Sequence, residues 1–253
     1  MSGPSRVLLR VGFRTGLAAG LCLLLTGAAG AAQGGGSVAA PFVGCAADGQ
    51  GGPVAAPKRG ATPKIPAASG LTYYVSGDIG VLAPRGWNCF DYYGSSGSTL
   101  FVTPERHGSA DLANPDLKFA GPAVVLSHIS GGTSGRFDAA EIAARLFPAA
   151  RSFVQGVIAE GIEPKEDFVF APYPADALTR RSATVVEFAT PASSDGLGTV
   201  GLIVKNDQPI SGVVILLPAS ENDLINLAVR LPPEAQGLAS VIVSTAEQNK
   251  GAP

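Results

Sequence analysis

The residues that could carry recognition chemistry are concentrated in one stretch, residues 79–104. This stretch holds the only tryptophan of the chain, two of the five tyrosines and one of the three cysteines. Indole and phenol rings give large, rigid contact surfaces with one hydrogen-bonding edge, and the arginine guanidinium is a planar fork that matches carboxylates. We therefore predict a binding surface for a glycan, a peptide or a protein, formed by Arg85, Trp87, Tyr92 and Tyr93 beside a Gly/Ser turn. In the alternative interpretation, Trp87 packs as core against a disulfide bridge.

A hydrolytic site is the second interpretation of the polar residues. Gly/Ser turns at residues 94–98 and 131–135 could present a nucleophile, with His128 or His107 as the base and Asp91 as the orienting acid. Neither turn has the Gly-x-Ser-x-Gly sequence of a nucleophile elbow. We therefore assign no catalytic residue and expect a non-enzymatic binding or interaction module, with an exported hydrolase as the alternative.

The chain offers no pattern typical of a metal or nucleotide site. Its two histidines, His107 and His128, lack the cysteine or acidic spacing that would predict zinc. No glycine run leads into Gly-Lys-Ser or Gly-Lys-Thr, the signature of a phosphate-binding loop. We predict no metal and no cofactor. We expect His128 to lie on the packed face of a strand and His107 to be a solvated loop residue.

The first 31 residues predict a cleavable secretory signal. Arg6, Arg10 and Arg14 precede an apolar run at residues 16–27, and small residues lead to a cleavage site near Ala31. The alternative, a membrane anchor, is less consistent with this short run because a spanning helix needs about 20 apolar residues. We therefore expect an exported protein, periplasmic or secreted, without a transmembrane segment after cleavage.

The cysteine pairing follows from export. Cys22 lies within the predicted signal, so Cys45 and Cys89 are the two cysteines of the mature chain. Two cysteines in an oxidising compartment most simply form one disulfide, and we predict this bridge. The alternative is a pair of buried free thiols.

The charge balance narrows the classes of partner. Removal of the signal takes away three of the 18 basic residues and none of the 20 acidic ones, which leaves a formal charge of about −5. Nucleic acids and anionic membrane surfaces attract basic proteins, so neither is an expected partner. The classes of partner that remain possible are an envelope component, a glycan, a peptide and a protein.

The elements that must position these residues form one predicted domain at residues 71–253. Residues 32–70 are rich in Gly, Ala and Pro and are predicted to be an irregular leader. Alternating patterns bounded by turn residues predict strands at residues 71–75, 79–83, 87–93, 99–103, 123–129, 184–190, 199–205, 212–218 and 224–231. The last of these alternates strictly, which is typical of a half-buried antiparallel strand.

Helical signals follow the fifth strand and end the chain. Asp138 and Glu141 have the spacing of a capping box, for a helix that ends at Pro148. A second helical pattern covers residues 153–161, and a third follows a pair of prolines near the C-terminus. The order of strands, helices, strands and helix predicts an α+β domain, an antiparallel sheet packed with two or three helices.

Several segments resemble a family of uncharacterised exported bacterial proteins. They are VLAPRGWNCFDYYGSSGSTLFVTP at residues 81–104, DGLGT at 195–199, PISGV at 209–213 and DLINLAVRLPPE at 223–234. The resemblance covers most of the mature chain, and it implies no catalytic residues because no activity is established for that family. The order of the elements also resembles the Mog1/PsbP-like fold. We interpret DGLGT as a turn with left-handed glycines rather than as a nucleotide-binding loop.

Overall fold

Runs of Val, Ile, Leu, Tyr and Phe, which favour strands, give the chain its mainly β character. A computed structural model describes residues 36–114 and 116–251, and the predicted signal at residues 1–31 lies outside this part of the chain. The strands are β1 (Ser37–Ala39), β2 (Phe42–Gly44), β3 (Ala46–Gly49), β4 (Lys64–Pro66), β5 (Leu71–Ser76), β6 (Ile79–Pro84), β7 (Asn88–Gly94), β8 (Gly97–Thr103), β9 (Ala123–Ile129), β10 (Ala177–Arg180), β11 (Val185–Thr190), β12 (Ile210–Leu217) and β13 (Asp223–Arg230). The α-helices are α1 (Arg136–Leu146), α2 (Arg151–Ala159) and α3 (Ala239–Asn249). Short 3₁₀ helices lie at Ser109–Ala113, Pro148–Ala150, Lys165–Asp167, Leu197–Thr199 and Pro233–Leu238.

One large sheet of eight strands organises the domain, in the order β10-β11-β12-β13-β9-β8-β7-β3. Its neighbours are antiparallel except at one edge, where β3 pairs in parallel with β7. A smaller sheet has the order β2-β5-β6, and β1 pairs with β4. The described part of the leader therefore contains four short strands, more regular structure than the sequence predicted.

The domain has three layers with a hydrophobic core in each of the two spaces between them. On one side, α1 and α2 cover the large sheet, and Leu146 and Val154 of the helices belong to the same core as Phe101 of the sheet. On the other side lie α3 and the smaller sheet, and Ile242 and Leu82 belong to that second core. We call the two sides of the large sheet the helix-pair face and the α3 face. These findings confirm the predicted α+β class.

Burial of β13 on both faces corrects one prediction. The alternation at residues 224–231 predicted a half-buried strand, but every residue of β13 after Asp223 is buried. Asn226, Ala228 and Arg230, the polar side of that pattern, are covered on the helix-pair face. Arg230 is 0% exposed, the largest of the fully buried side chains in the described residues.

The start of α1 also differs from its prediction. The helix begins at Arg136 after Gly135, and no side chain caps it. Asp138 lies inside the first turn, where a negative charge interacts favourably with the helix dipole. The predicted capping box is therefore wrong, whereas the predicted end is confirmed, because α1 ends at Leu146 and Pro148 opens a 3₁₀ helix.

The predicted strand at residues 199–205 is absent. The DGLGT segment instead folds into a 3₁₀ turn, packed against Asp176, whose carboxylate accepts a hydrogen bond from the Thr190 hydroxyl at 2.6 Å. Farther along, Ile203 makes a single parallel bridge with Phe119. The apolar run of this segment therefore forms a loop that packs on the domain.

Neither glycine of DGLGT is left-handed, contrary to the prediction, since Gly196 has an extended φ of −178° and Gly198 has no positive φ. A Cβ on Gly196 would lie 2.1 Å from Oδ1 of Asp176, and one on Gly198 would lie 2.7 Å from Ile210. Lack of space, rather than backbone conformation, requires the two glycines. Strand β10 was not predicted, and its mostly exposed residues show no alternation of burial.

Cys45 and Cys89 form the predicted disulfide, with their Cα atoms 5.4 Å apart. Cys45 follows β2, and Cys89 lies in β7, so the bridge joins the leader to the large sheet. Within the described ranges, no helix has both the length and the apolar character needed to cross a membrane.

Candidate functional site

A cleft opens on the helix-pair face where β7, β8 and β9 meet α1. Its volume is about 420 Å³, which lies in the size range of small-molecule sites. Partly buried strand residues form the floor, and Ile142 of α1 and the loop at residues 200–202 form walls. The exposed side chains of Lys118 and Asp138 lie at the rim. We call this the helix-pair cleft.

The floor is a row of polar side chains on four adjacent strands. In the strand ladders Tyr92 is paired with Thr99, Thr99 with Ser127, and Ser127 with Asn226. Directly opposed residues point to the same face of a sheet, so these four side chains form one line, which we call the polar row. The next row on this face is apolar and consists of Phe90, Phe101, Val125 and Ala228.

Asn226 is the most unusual member of the polar row. Its side chain is 8% exposed, and its Oδ1 is buried without a hydrogen-bond partner among the described residues. Leaving a buried acceptor unpaired costs about 1–3 kcal/mol of stability. Asn226 also lines the helix-pair cleft, so a ligand donor that reached its covered Oδ1 would remove that penalty.

Tyr92 brings a second unpaired polar group to the floor. Its hydroxyl is buried and has no hydrogen-bond partner in the described part of the chain. Its ring packs edge-on against Phe101, with the ring centroids 5.2 Å apart. Burial, together with the negative charge of Asp111, raises the pKa of Tyr92 to about 12. The phenol therefore stays protonated at neutral pH and can donate a hydrogen bond.

Thr99 and Ser127 occupy the middle of the polar row. Their hydroxyl oxygens are 3.0 Å apart, and either group can be the donor. Each hydroxyl has one donor and two acceptor sites, so one O–H and several lone pairs remain for a ligand. The floor therefore offers donors and acceptors but no formal charge.

Arg230 holds the segments that form the outer wall of the helix-pair cleft. It lies on the same face of β13 as Asn226, and its guanidinium donates hydrogen bonds to three backbone carbonyls. The distances are 2.6 Å to Phe119, 2.6 Å and 2.9 Å to Gly121, and 2.5 Å to Val204. Burial lowers the pKa of Arg230, but the reference value of arginine is so high that the group stays cationic.

The two segments that Arg230 binds also contact each other. The Phe119 N–H donates to the Leu202 carbonyl at 2.7 Å, and Lys118 Nζ donates to the Gly201 carbonyl at 3.0 Å. Lys118, Gly201 and Leu202 all line the helix-pair cleft. These bonds and those of Arg230 together hold this wall in position.

The rim carries one charge of each sign. Lys118 is exposed and cationic, and Asp138, in the first turn of α1, also lines the cleft. Although the residue is exposed, desolvation of its carboxyl by neighbouring groups, and then the negative charge of Glu163, raises the pKa of Asp138 above its ordinary value. Because these charges are opposite, neither an anion nor a cation meets a rim of uniformly complementary charge.

Of the four predicted binding residues, Tyr92 places its side chain in the floor of this site, and Tyr93, the next residue of β7, lies at its edge with its side chain on the opposite face of the sheet. Tyr92 and Tyr93 line the helix-pair cleft, and the Tyr93 hydroxyl donates to the Gly52 carbonyl at 2.6 Å. Trp87 is half-buried and packs against the core of the α3 face, and Arg85 is exposed just after β6. The four side chains therefore do not share one surface.

The residues considered for hydrolysis have other partners. Nε2 of His128 lies 2.9 Å from Oδ2 of Asp223, whose Oδ1 accepts a hydrogen bond from the Gly131 N–H at 2.8 Å. Asp91 is buried on the α3 face and accepts a hydrogen bond from Ser76 at 2.9 Å. His128 is therefore oriented by Asp223, and Asp91 does not serve as its acid.

His107 is not the solvated loop residue that the sequence predicted. Its side chain is 18% exposed, and its ring packs against both Phe101 and Phe119, at centroid distances of 5.7 Å and 5.2 Å. Nδ1 of His107 lies 3.5 Å from Oδ2 of Asp111. These contacts fix the loop that precedes Lys118.

The two Gly/Ser turns bind each other. The hydroxyl oxygens of Ser95 and Ser134 are 2.8 Å apart, and the Thr133 hydroxyl donates to the Ser95 carbonyl. Ser98 lies directly opposite His128 in the β8–β9 ladder. The turns therefore brace the end of the sheet beside the helix-pair cleft.

A larger groove, of about 670 Å³, lies between β10–β12 and α3. It is lined mainly by small residues and by the ion pair of Arg181 with Glu187, at 2.7 Å. Within the described residues, none of the five buried polar atoms without a partner belongs to this groove, whereas two belong to the helix-pair cleft. The unpaired groups therefore favour the cleft as the functional site.

Sequence reasoning missed Thr99, Ser127, Asn226 and Arg230. The available signal was the presence of an amide and a guanidinium in β13, whose other residues after Asp223 are apolar. Within the described ranges, no three His, Cys, Asp or Glu side chains are grouped closely enough to hold a metal ion. No protein-family model, curated protein or solved structure matches the chain.

Proposed function

We propose that this chain is a non-enzymatic binding module that holds a small polar ligand in the helix-pair cleft. The observation that carries this proposal is the unpaired Oδ1 of Asn226, which is buried in the floor of a cleft of about 420 Å³. Buried polar groups in proteins are nearly always hydrogen-bonded, and an exception calls for a functional explanation. A ligand that donates to Asn226 supplies the missing partner.

The rigidity of the site supports this function. The polar row is held by four strands of the large sheet, and one wall is held by Arg230. A site that is ordered before its ligand arrives loses little conformational entropy on binding. The cleft can therefore bind a small molecule with only a local movement that uncovers the Oδ1 of Asn226.

We place this function outside the cytoplasm, in the periplasm or the medium. The disulfide between Cys45 and Cys89 supports export, because such bonds persist in oxidising compartments. The signal pattern of residues 1–31 and the resemblance to exported bacterial proteins agree with it. An antibody detecting the protein in periplasmic and cytoplasmic fractions would test this location, and a purely cytoplasmic protein would contradict it.

The substitution Asn226→Leu tests the binding function. Leucine has a similar volume and needs no hydrogen bond, so the variant should gain about 1 kcal/mol of stability and lose the ligand. Thermal unfolding with and without a library of small polar metabolites measures both effects. A ligand at about 100 times its dissociation constant adds roughly 2.7 kcal/mol to the wild-type protein.

Asn88→Leu is the matched control, because Asn88 lies in β7 but outside the cleft and donates to the Pro104 carbonyl. It should lose some stability and keep the ligand. If Asn226→Leu instead lowers stability, the amide is satisfied inside the folded protein and the main support for the proposal is gone. Equal ligand-induced shifts in the wild type and in Asn226→Leu would also contradict it.

A hydrolase is the second candidate, and the His128–Asp223 pair is the observation that favours it. The carboxylate orients the imidazole as an acid orients a catalytic base. Ser98, opposite His128 on the neighbouring strand, would be the nucleophile. Labelling by a fluorophosphonate probe that is lost in Ser98→Ala and His128→Ala would establish this activity in place of simple binding.

A further inference from the structure

We propose that the ligand of the helix-pair cleft is a neutral carbohydrate, bound across the strands along the polar row. This inference rests on the proposed binding function and specifies its ligand class. It depends on the chemistry of the floor, the direction of the polar row, the apolar walls and the charges at the rim, which are four separate features of the cleft.

The floor matches a group that both donates and accepts hydrogen bonds. Hydroxyls and carboxamides have both capacities, and all four members of the polar row belong to these two types. Sugar hydroxyls have the same double capacity. An ionised carboxylate accepts only, so it would leave the Oδ1 of Asn226 without a donor.

The direction of the polar row matches an elongated ligand. Its members lie on four neighbouring strands, and three strand spacings of about 4.8 Å give a length of roughly 14 Å. Two linked sugar rings can contact groups spread over this length, whereas a single small metabolite contacts one or two of them. The row therefore favours a disaccharide unit over a monosaccharide.

The walls match the apolar faces of sugar rings. Ile142 from α1 and Leu202 from the opposite loop line the cleft, and Val200 beside it is 41% exposed. The ring of Tyr92 adds an aromatic surface. Sites that bind small molecules commonly combine apolar walls with a few well-placed polar groups. Here the polar groups would bind sugar hydroxyls while the walls cover C–H surfaces.

Opposite charges at the rim favour a ligand without net charge. The ammonium of Lys118 is already hydrogen-bonded to the Gly201 carbonyl at 3.0 Å, so it is not directed towards a free anion. Asp138 on α1 would repel a second negative charge. Acidic sugars and nucleotides are therefore poorer ligands than neutral sugars.

Calorimetric titration of the disulfide-bonded protein tests the ligand class. The probes are cellobiose, maltose and the disaccharide of N-acetylglucosamine, compared with galacturonic acid, inorganic phosphate, glutamine and glutamate. At least one neutral disaccharide should bind. Its affinity should fall tenfold or more in Asn226→Leu and in Ser127→Ala, and should not change in Asn88→Leu.

The outcomes distinguish the ligand class from the binding function. If an amino acid, phosphate or the acidic sugar binds and depends on Asn226, the carbohydrate assignment is overturned and the binding function stands. If a disaccharide binds equally well to Asn226→Leu, the helix-pair cleft is not its site and both proposals fail. If none of the neutral disaccharides binds at millimolar concentration, the carbohydrate assignment is overturned.

Discussion

The Nη2 atom of Arg230 lies 2.6 Å from the carbonyl oxygen of Phe119, 111 positions earlier in the chain. A strand at the centre of the large sheet thereby holds the loop that carries Lys118 to the rim of the helix-pair cleft. A buried guanidinium is stable only when hydrogen-bond acceptors surround it, and here backbone carbonyls are those acceptors. We call these hydrogen bonds of Arg230 the clamp. The clamp contributes both to the stability of the protein and to the shape of the helix-pair cleft.

Arg230→Met should strongly destabilise the protein. It removes the hydrogen bonds to Phe119, Gly121 and Val204 and leaves their carbonyls without these donors. We expect the free energy of unfolding to fall by about 3 kcal/mol or more, measured by urea titration. The matched control is Arg181→Met, which removes a half-exposed ion pair with Glu187 and should change stability far less, because exposed ion pairs contribute little. Equal losses in the two variants would refute the clamp.

Asp91 should make stability depend on pH. Burial raises its pKa to about 6 despite the hydrogen bond from Ser76, whereas an unfolded chain has a value near 3.9. The folded state binds the proton more tightly, so the free energy of unfolding should fall as pH rises from about 4 to about 6. A shift of this size corresponds to about 3 kcal/mol at most.

The substitution Asp91→Asn isolates that effect, because an amide keeps an acceptor for Ser76 and does not ionise. The variant should match the wild type near pH 4 and be the more stable protein above pH 6. Urea titrations at pH 4, 5, 6 and 7 measure the difference. A difference that is constant across this range would show that Asp91 does not titrate as expected.

Two glycines should respond in opposite directions to alanine. In β12, a Cβ on Gly212 would lie 2.0 Å from the Leu227 carbonyl oxygen and 2.3 Å from the Phe188 ring. In α2, a Cβ on Gly156 would meet nothing within 4 Å. We expect Gly212→Ala to cost about 1–3 kcal/mol or more through overpacking, and Gly156→Ala to add about 0.5–1 kcal/mol through its helix propensity. Thermal unfolding of the two variants tests the packing of the central sheet.

Loss of the disulfide should cost more than most single substitutions. Cys45 and Cys89 are 44 positions apart, and closing a loop of this size stabilises by roughly 4 kcal/mol in the chain-entropy model. The Cys45→Ala, Cys89→Ala double variant should therefore unfold at much lower urea concentration. Dithiothreitol should destabilise the wild type and leave the double variant unchanged. Two free thiols in the unreduced, denatured wild type would contradict the bridge.

Much of the fold could be predicted because its signals are local. Alternating residues and the glycines at 94 and 97 indicate the β7–β8 hairpin, and Pro148 marks the end of α1. The segment at residues 199–205 was misread because its apolar residues look like a strand. They instead pack as a loop, since Ile203 finds one bridge partner, Phe119. That partner is distant in sequence, so no local pattern could indicate it.

The candidate site was beyond local prediction for a related reason. Tyr92 was recognised by its residue type, but its position beside Thr99 depends on the register of a ladder. Asn226 joins them only because β13 pairs with β9, which precedes it by two helices and three strands. The sequence also gave Arg85 and Trp87 the same weight as Tyr92, since it does not reveal which side of the sheet each residue occupies.

The hydroxyl pair of Thr99 and Ser127 gives the floor a reversible polarity. Either group can donate the shared hydrogen bond, so rotating two O–H bonds moves the free proton from one strand to its neighbour without moving a heavy atom. A ligand and its epimer, in which a donor and an acceptor exchange places, could then be held by the same protein frame. Such a site distinguishes ligands by their size and shape, and the hydroxyl pair at the centre of its floor accepts either epimer.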